Sequence, residues 1–591
     1  MANRNIRWQQ FPLLRPVIAM VTGGFLYSSC ALFQLSALHW VCLWLMLIIG
    51  LFLQKLWPVI LYSTFLFLGY YHMQERDVSF HHYPILSAQQ KQDISLYVDR
   101  CSWDSKNERY KIYGRSYISA CEKPIPVYAW YPDAKPLQKG DRILFIGSFR
   151  NTMPSPFRQG FDFSAFLQKR KTVYTVWIDP EKVIKTLTET NAEKKFWQRW
   201  RLNSLSQLEK KLSTESYGIY AAVLYGASGE LKSDIRNKFA ELGIAHILAV
   251  SGMHVGILVS VLSSLIHLFY KRGPYKRLLM FIMITAGCFS YTVLCDFMPS
   301  AVRASLMASM YFLARALHCD QSGLNSLAFS ALALFIWDPY VIFDLGAQLS
   351  FTAMLGIFLL YPPIQEWCRW KIPLPEQVSS LLSLSFAAQL SLMPLLLYYF
   401  GQLPLLFWLF GIPAAYFAIF IFCSGWLFVL LSALIPAWNQ AGQVLSGVVD
   451  FCIHFVEKAA DQGNLLLKVF YFDEISMLLM ALIVIQVGVW MYQTSKRSRI
   501  FNLKMISLWI CCFIWIQTAR EQDVLIEAFQ ARYQDIVLIK LKERAYTLSE
   551  DVITEYDEEA IRASFPIDSL HSMKLGQRTA GTFLHLNTPN E

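Results

Sequence analysis

The feature that most constrains this chain is a series of apolar runs, each close to the length that crosses a bilayer. A hydrocarbon core about 30 Å thick takes about 20 helical residues at a rise of about 1.5 Å each. Such runs recur at 14–34, 38–53, 56–71, 278–297, 301–317, 324–337, 341–361, 378–400, 403–438, 475–492 and 500–519, and another apolar stretch surrounds His254. Charged residues make up 16% of the chain and hydrophobic residues 55%, whereas a soluble domain carries about a quarter charged residues. A polytopic α-helical membrane protein with about 11–13 transmembrane helices is expected. A single soluble globule, a disordered chain and a fibrous repeat are excluded.

Charge orients the runs. The formal charge is +10, from 53 Lys+Arg against 43 Asp+Glu. In a membrane protein such an excess gathers in cytoplasmic loops, so by itself it says little about an anionic substrate. Arg4, Arg7 and Arg15 precede the first run and predict a cytoplasmic N-terminus. No small-residue cleavage site followed by a polar start marks a signal peptide. Three crossings in residues 1–73 then leave 74–190 outside the cytoplasm. The clusters Lys271/Arg272/Lys276/Arg277, Arg369/Lys371 and Lys496/Arg497/Arg499 fall on the inner side. The last cluster requires 403–474 to leave the chain outside. Either the run 403–438 crosses twice, broken near Gly411-Ile412-Pro413, or the polar helix around Asp450 and His454 crosses.

Residues 94–176 have a different character. ISLYVDRC, RYKIYGRSYISAC, PVYAWY, DRILFIGSF and TVYTVWI alternate with turn signals such as Pro132-Asp133 and Lys139-Gly140. Period-two alternation with Tyr, Val and Ile predicts a small antiparallel barrel or sheet. Cys101 and Cys121 lie in this extracytoplasmic segment, where two cysteines either pair as a disulfide or remain free thiols. The chain has 12 cysteines and no CxxC pair.

Residues 191–214 read as an amphipathic helix in the membrane interface. Trp197, Leu205, Leu208 and Leu212 share one face and Lys195, Arg199 and Lys210 the other. Trp197 and Trp200 act as anchors, and Arg201 intrudes on the apolar side. A solvated linker helix packed on the barrel is the alternative. Residues 215–495 return to the membrane, 496–520 hold the last transmembrane helix, and 521–591 form a small extracytoplasmic tail with one or two strands and a helix.

Among the 11 histidines none forms HExxH or HxHxDH, and Walker A, GxSxG and GxGxxG motifs are absent. No nuclease, ATPase or hydrolase is expected, and no cofactor or metal. The chemistry lies instead in polar groups within apolar runs, where ionisable side chains are costly and usually face a bundle interior or an aqueous cavity. GIAHILAVSGMHVGIL places His246 and His254 eight positions apart, roughly one side of a helix, with Ser251-Gly252 as a flexible break. Arg303, Asp344, Gln348 and Gln389 sit in later runs. They serve as interhelical hydrogen bonds, with Arg303 and Asp344 as a buried ion pair, or together they line a polar lumen.

LYGASGELKSDIRNKFAELGIAHILAVSGMHVGIL resembles the signature of the ComEC competence-channel family, whose core reads HLLAISGLHVG where this chain has HILAVSGMHVG. PSAVRASLM, NSLAFSALALFIWDPYVIFDLGAQLSF and AAQLSLMPLLLYYFGQLPLL resemble later blocks of the family in order. KGDRILFIGSFRNTMPSPFRQGFDFSAFLQKRKTVY is similar to its extracytoplasmic OB-fold domain, so the likeness covers residues 90–430. It implies a bacterial inner-membrane channel importing single-stranded transforming DNA, with His246, Ser251, Gly252, His254, Arg303, Asp344, Gln348 and Gln389 as motif positions. An OB domain binds single strands through basic grooves and stacking aromatics. Lys139, Arg142, Arg150, Arg158, Lys169, Arg170 and Lys171 are then backbone contacts, and Tyr128, Trp130 and Tyr174 stack bases. The alternative at each position is a solvated charge or a core aromatic. Many family members carry a metallo-β-lactamase-like domain. The tail here has only His571 and His585, so the expected partners include a separate nuclease and a cytoplasmic motor or single-strand binder, besides DNA and the bilayer. Two other functions fit the residues: a transporter of the same fold for another substrate, and a membrane enzyme using His246 and His254 as acid/base groups or metal ligands.

Overall fold

The computed structural model describes residues 14–29, 57–76, most of 92–187, 196–520 apart from short connecting stretches, and strands between 524 and 574. The run 38–53, Cys121, Lys139, Arg158, Lys169, Arg170 and Lys171 lie outside the described residues.

Helices α1 (Leu14–Ser29) and α2 (Trp57–Arg76) pack against each other ahead of a seven-stranded sheet. Its strands are β1 (Gln92–Asp104), β2 (Arg109–Tyr117), β3 (Ile125–Tyr131), β4 (Arg142–Gly147), β5 (Arg150–Asn151), β6 (Tyr174–Trp177) and β7 (Val183–Leu187), in the order β5-β6-β3-β2-β1-β4-β7. All five expected β-rich runs form strands; β5 and β7 are additional. The 13-residue β1 pairs with both β2 and β4, and its register shifts between Val98 and Arg100. Such a bulge bends a strand and increases its twist. Among the described residues the only parallel pairing in this sheet joins β3 to β6. Ile94, Leu96, Val98, Ile112, Val127, Ala129, Phe145, Tyr174 and Val176 form the core on one face.

The rest of the membrane part follows as α3 (Phe196–Lys211), α4 (Thr214–Tyr225), α5 (Ser233–Glu241), α6 (Gly252–Phe269), α7 (Lys276–Leu294), α8 (Pro299–Ala316), α9 (Gly323–Trp337), α10 (Leu345–Lys371), α11 (Glu376–Phe400), α12 (Phe407–Leu434), α13 (Ala441–Asp461), α14 (Glu474–Tyr492) and α15 (Lys496–Arg520). Among the described residues six helices are long and apolar enough to cross a membrane, within α6, α7, α10, α11, α12 and α14. The apolar stretches Leu14–Leu26 and Gly323–Trp337 are shorter. The chain is thus mostly helical, as a polytopic membrane protein is.

Three local outcomes refine the sequence reading. The 28-residue α12 runs through Pro413 as one helix, so no break occurs at 411–413. Strand β8 (Gln402–Pro404) pairs antiparallel with β9 (Leu466–Lys468), so the α12–α13 hairpin ends where it begins. Arg201 sits on the apolar side of α3 because its Nη2 donates to the Tyr225 carbonyl at the end of α4, 3.3 Å away. Trp200 stacks on Trp426 of α12 with ring centroids 5.7 Å apart, and Leu208 and Leu212 are buried, so α3 packs on the helical bundle. Phe196 and Trp197 remain exposed at its start. In the tail, β10 (Val524–Gln530), β11 (Asp535–Leu541), β12 (Arg544–Ser549) and β13 (Ser569–Lys574) form a four-stranded sheet; the helix expected after β12 lies outside the described residues.

Asp450 ties α13 to the α3–α4 corner. Its Oδ1 accepts from the hydroxyls of Ser213 and Ser216 at 2.8 and 2.7 Å, and its Oδ2 from Ser446 at 3.3 Å. Ser213 also caps α4, accepting from the Ser216 amide at 3.2 Å. Removing the carboxylate strands the hydroxyls of Ser213 and Ser446 in a largely buried setting, at about 1–3 kcal/mol for each group left unpaired, and leaves Ser216 only the Ser446 carbonyl, 3.2 Å away. Asp450→Ala is therefore expected to lower the thermal midpoint of the detergent-solubilised protein by several degrees, and Asp450→Asn by less. Equal midpoints for Asp450→Ala and the parent would show that the cluster does not hold the corner.

Cys101 carries a free thiol that donates to the Leu137 carbonyl at 3.1 Å. Burial, with the Asp141 carboxylate adding to it, pushes this thiol up to about 11. At pH 8 roughly one thiol in a thousand is then ionised. Maleimide labelling of the Cys101 peptide, followed by mass spectrometry, should be slow at pH 8 and accelerate as pH approaches 11. Labelling at pH 8 at the rate of a small free thiol would contradict this.

Candidate polar site in the membrane helices

The segment joining α5 to α6 is where the helical pattern stops. Helix α5 closes on Gly243, whose φ of +76° is open to glycine at little cost. A Cβ there would lie 2.7 Å from Pro404 Cγ. His246 lies on the 3₁₀ turn Ala245–Leu248; residues 249–251 are extended, and α6 starts at Gly252. His246 and His254 are therefore not two turns apart on one helix. The Ser251-Gly252 break is present, and it separates them. The His246 side chain is exposed on this turn.

The break frees backbone groups in an apolar setting, and neighbouring side chains meet them. The Ser251 amide donates to His254 Nδ1 at 3.0 Å, and Ser251 Oγ lies 3.3 Å from the same nitrogen. Ser300 at the start of α8 donates its hydroxyl to the Val250 carbonyl at 2.5 Å. Since Nδ1 accepts, the imidazole proton sits on Nε2. His254 is fully buried and stacks on Phe422 of α12, ring centroids 5.3 Å apart. Its Nε2 has no hydrogen-bond partner among the described residues.

Arg303 is 2% exposed, one turn into α8. Its Nη2 donates to the Gly346 carbonyl at 2.8 Å, and its guanidinium lies over the Phe351 ring, 5.6 Å from the centroid. Nε and Nη1 have no hydrogen-bond partner among the described residues. The direct contact is thus to backbone. Asp344 caps α10, accepting from the Ala347 amide at 2.8 Å. Gln348 is fully engaged: its Nε2 donates to the Ile342 carbonyl and its Oε1 accepts from Tyr399, both at 2.8 Å. Gln389 Nε2, within α11, has no hydrogen-bond partner among the described residues. The eight motif positions therefore divide. Ser251, Gly252, Asp344 and Gln348 shape the backbone, His254, Arg303 and Gln389 hold buried donors without a partner among the described residues, and His246 is exposed. Phe422 and Ser300, which support this arrangement, carry no sequence signal of their own.

On the sheet, Arg142 and Arg150 are exposed. Tyr174 belongs to the core, opposite Val127, and cannot meet a base. Tyr128 faces outward but is only 3% exposed, covered edge-on by Tyr113 and Trp130 at 4.7 and 4.9 Å. Trp130 is half-buried on the same face. Among the described residues no group of three or more His, Cys, Asp or Glu side chains converges as a metal site would need.

A substitution series separates the histidine's two nitrogens. His254→Asn can still offer an oxygen to the Ser251 amide, whereas His254→Ala leaves that amide without an acceptor. The alanine variant is expected to lose about 1–2 kcal/mol of stability and the asparagine variant less than half of that. Guanidinium denaturation in detergent reads the difference, and equal losses would mean that the Nδ1 contact is not what holds the break.

Residues 223–497 match the family model described as "Competence protein". The chain is 27% identical over 211 residues to ComE operon protein 3 of Bacillus subtilis, covering 35% of this chain and 25% of that protein. It is 27% identical over 158 residues to an uncharacterized protein of Aquifex aeolicus, covering 26% and 36% of the two chains. It is also 27% identical over 205 residues to an uncharacterized protein of Mycoplasma pneumoniae, covering 35% and 49%. The matched region thus spans between a quarter and a half of these relatives. No solved structure matches the chain. The ordered motif blocks, the long apolar helices and the match over 223–497 together make this chain similar to the ComEC competence family across its membrane part.

Proposed function

We propose that this protein passes single-stranded transforming DNA across the bacterial inner membrane during natural competence. The carrying observation is the set of unpartnered donors His254 Nε2, Arg303 Nε and Nη1, and Gln389 Nε2, all within the competence-matched stretch. A bundle that needs these groups only for cohesion pairs them, because each orphaned buried donor costs about 1–3 kcal/mol and more when charged. Donors held unpaired beside apolar neighbours suit a transient acceptor, and a phosphodiester chain offers one at every nucleotide. His246, accessible beside the same break, belongs to this path.

On this reading transmembrane helices occupy 1–73, an extracytoplasmic domain 74–190, the amphipathic helix 191–214, the channel 215–495, a last span 496–520 and the tail 521–591. Positive loops support a cytoplasmic N-terminus with the sheet and tail outside. The topology of the sheet supports an OB-type barrel. A long bent β1 is shared between β2 and β4, and β6 closes on β3. Entry of one strand calls for a separate nuclease to remove the other, and a cytoplasmic motor or single-strand binder to draw the chain inward.

Tests should follow fluorescent DNA in cells carrying Arg303→Gln. Loss of the guanidinium removes charged hydrogen bonds of about 1.5–3 kcal/mol, so transformants should fall by about tenfold to a hundredfold with protein levels unchanged. DNA should accumulate outside the inner membrane. Wild-type uptake by Arg303→Gln, or by a strain lacking the gene, would refute the reading.

A further inference from the structure

Helices α14 and α15 pack as a hairpin whose contact turns polar near the connecting turn. Gln486, Trp490 and Gln493 recur at steps of four and three, the spacing of one helical face. Gln486 Nε2 donates to Asn502 Oδ1 across the hairpin, and Arg499 Nε donates to the Gln493 carbonyl. These two contacts bracket Trp490 and set the register of the pair. Asn502 is 4% exposed, and its Nδ2 has no hydrogen-bond partner among the described residues. The same holds for the buried atoms Trp490 Nε1 and Gln493 Oε1. Two unmatched donors and one unmatched acceptor thus share this contact, with Asn502 about 9 Å along α15 from Lys496. The surroundings are basic and apolar. Arg499 and Lys504 are exposed, Lys496 and Arg497 stand beside them in sequence, and no Asp or Glu occurs from 475 to 520. Ile485, Val489, Ile500 and Phe501 are exposed on the flanks.

We propose that the turn end of the α14–α15 hairpin binds the headgroup of an anionic phosphoglyceride. The phosphate accepts from Trp490 Nε1, Asn502 Nδ2 and the Arg499 guanidinium, and a headgroup hydroxyl donates to Gln493 Oε1. The acyl chains then lie along the exposed apolar flanks. Basic pockets between membrane helices on the positive side suit anionic headgroups, and an interfacial tryptophan places its N–H at headgroup level. Hydrogen bonds to an ionised phosphate are stronger than those to a neutral acceptor, so donors left unmatched by the protein find their best partner there. A choline headgroup offers Gln493 no donor and brings a second cation beside Arg499, so it fits worse. This binding is independent of what the bundle transports.

The test uses the full chain, washed free of lipid in detergent, and native mass spectrometry with three probes. These are phosphatidylglycerol, phosphatidylcholine with the same acyl chains, and inorganic phosphate. Phosphatidylglycerol should bind more tightly than phosphatidylcholine, and excess inorganic phosphate should not displace it. Trp490→Phe keeps the ring and loses the N–H, and Arg499→Gln removes an exposed charge. Each should weaken phosphatidylglycerol binding by about tenfold and shrink its preference over phosphatidylcholine. An unchanged thermal midpoint without lipid shows that a variant is folded, and if one variant fails this check the other decides. Equal affinity for the two lipids, or unchanged phosphatidylglycerol binding in a folded variant, would overturn the headgroup site. Full displacement by inorganic phosphate would overturn the lipid as its ligand.

Discussion

A backbone that stops being helical inside an apolar bundle must still satisfy every amide and carbonyl, because no water is at hand to do so. This constraint organises the residues around 249–251. The Val250 carbonyl is met by Ser300, and the Ser251 amide by His254 Nδ1. These two bonds let α6 begin where it does and dock the start of α8 against it. With the break fixed, His254 turns its ring onto Phe422 and leaves Nε2 free of partners among the described residues. One nitrogen holds the break and the other meets no partner among the described residues.

The same economy recurs in α10. Asp344 and Gln348 read in sequence as polar residues stranded in an apolar run. In the structure they start the helix and pin it to Tyr399 of α11. They position Gly346, whose carbonyl holds one end of the Arg303 guanidinium. Nε and Nη1 of Arg303 have no hydrogen-bond partner among the described residues, and a buried arginine kept that way carries a cost that the surrounding well-bonded shell sustains.

Much of the architecture was legible in the sequence because hydrophobic length and period-two alternation are strong signals. The membrane runs and the five principal strands came directly from them. What failed did so for local reasons. Alternation identifies two faces of a strand but not which one is buried, and on β6 the choice fell on Tyr174 when Trp177, three residues on, occupies the outer face. A one-residue slip exchanges core for surface along a whole strand. The spacing of His246 and His254 suggests a shared helical face only if the helix is continuous, and Gly243 together with the extended 249–251 interrupts it. Arg201 looked like a flaw in an amphipathic pattern until the Tyr225 carbonyl supplied its partner, a contact between residues 24 positions apart. Roles that depend on tertiary partners leave no periodic trace.

The pairing of β8 with β9 closes α12 and α13 into a loop whose two ends are stitched together. Helix α13 is too polar to settle in lipid alone, with Asp450, His454, Glu457 and Lys458 along 21 residues. Its carboxylate meets Ser446 on the same helix, and finds the hydroxyls of Ser213 and Ser216 only against the 213–216 corner. Helix α12 suits a bilayer by its own apolarity, whereas the carboxylate of α13 depends on neighbours for its partners. The β8–β9 pairing then tethers the less self-sufficient helix to the foot of the more apolar one.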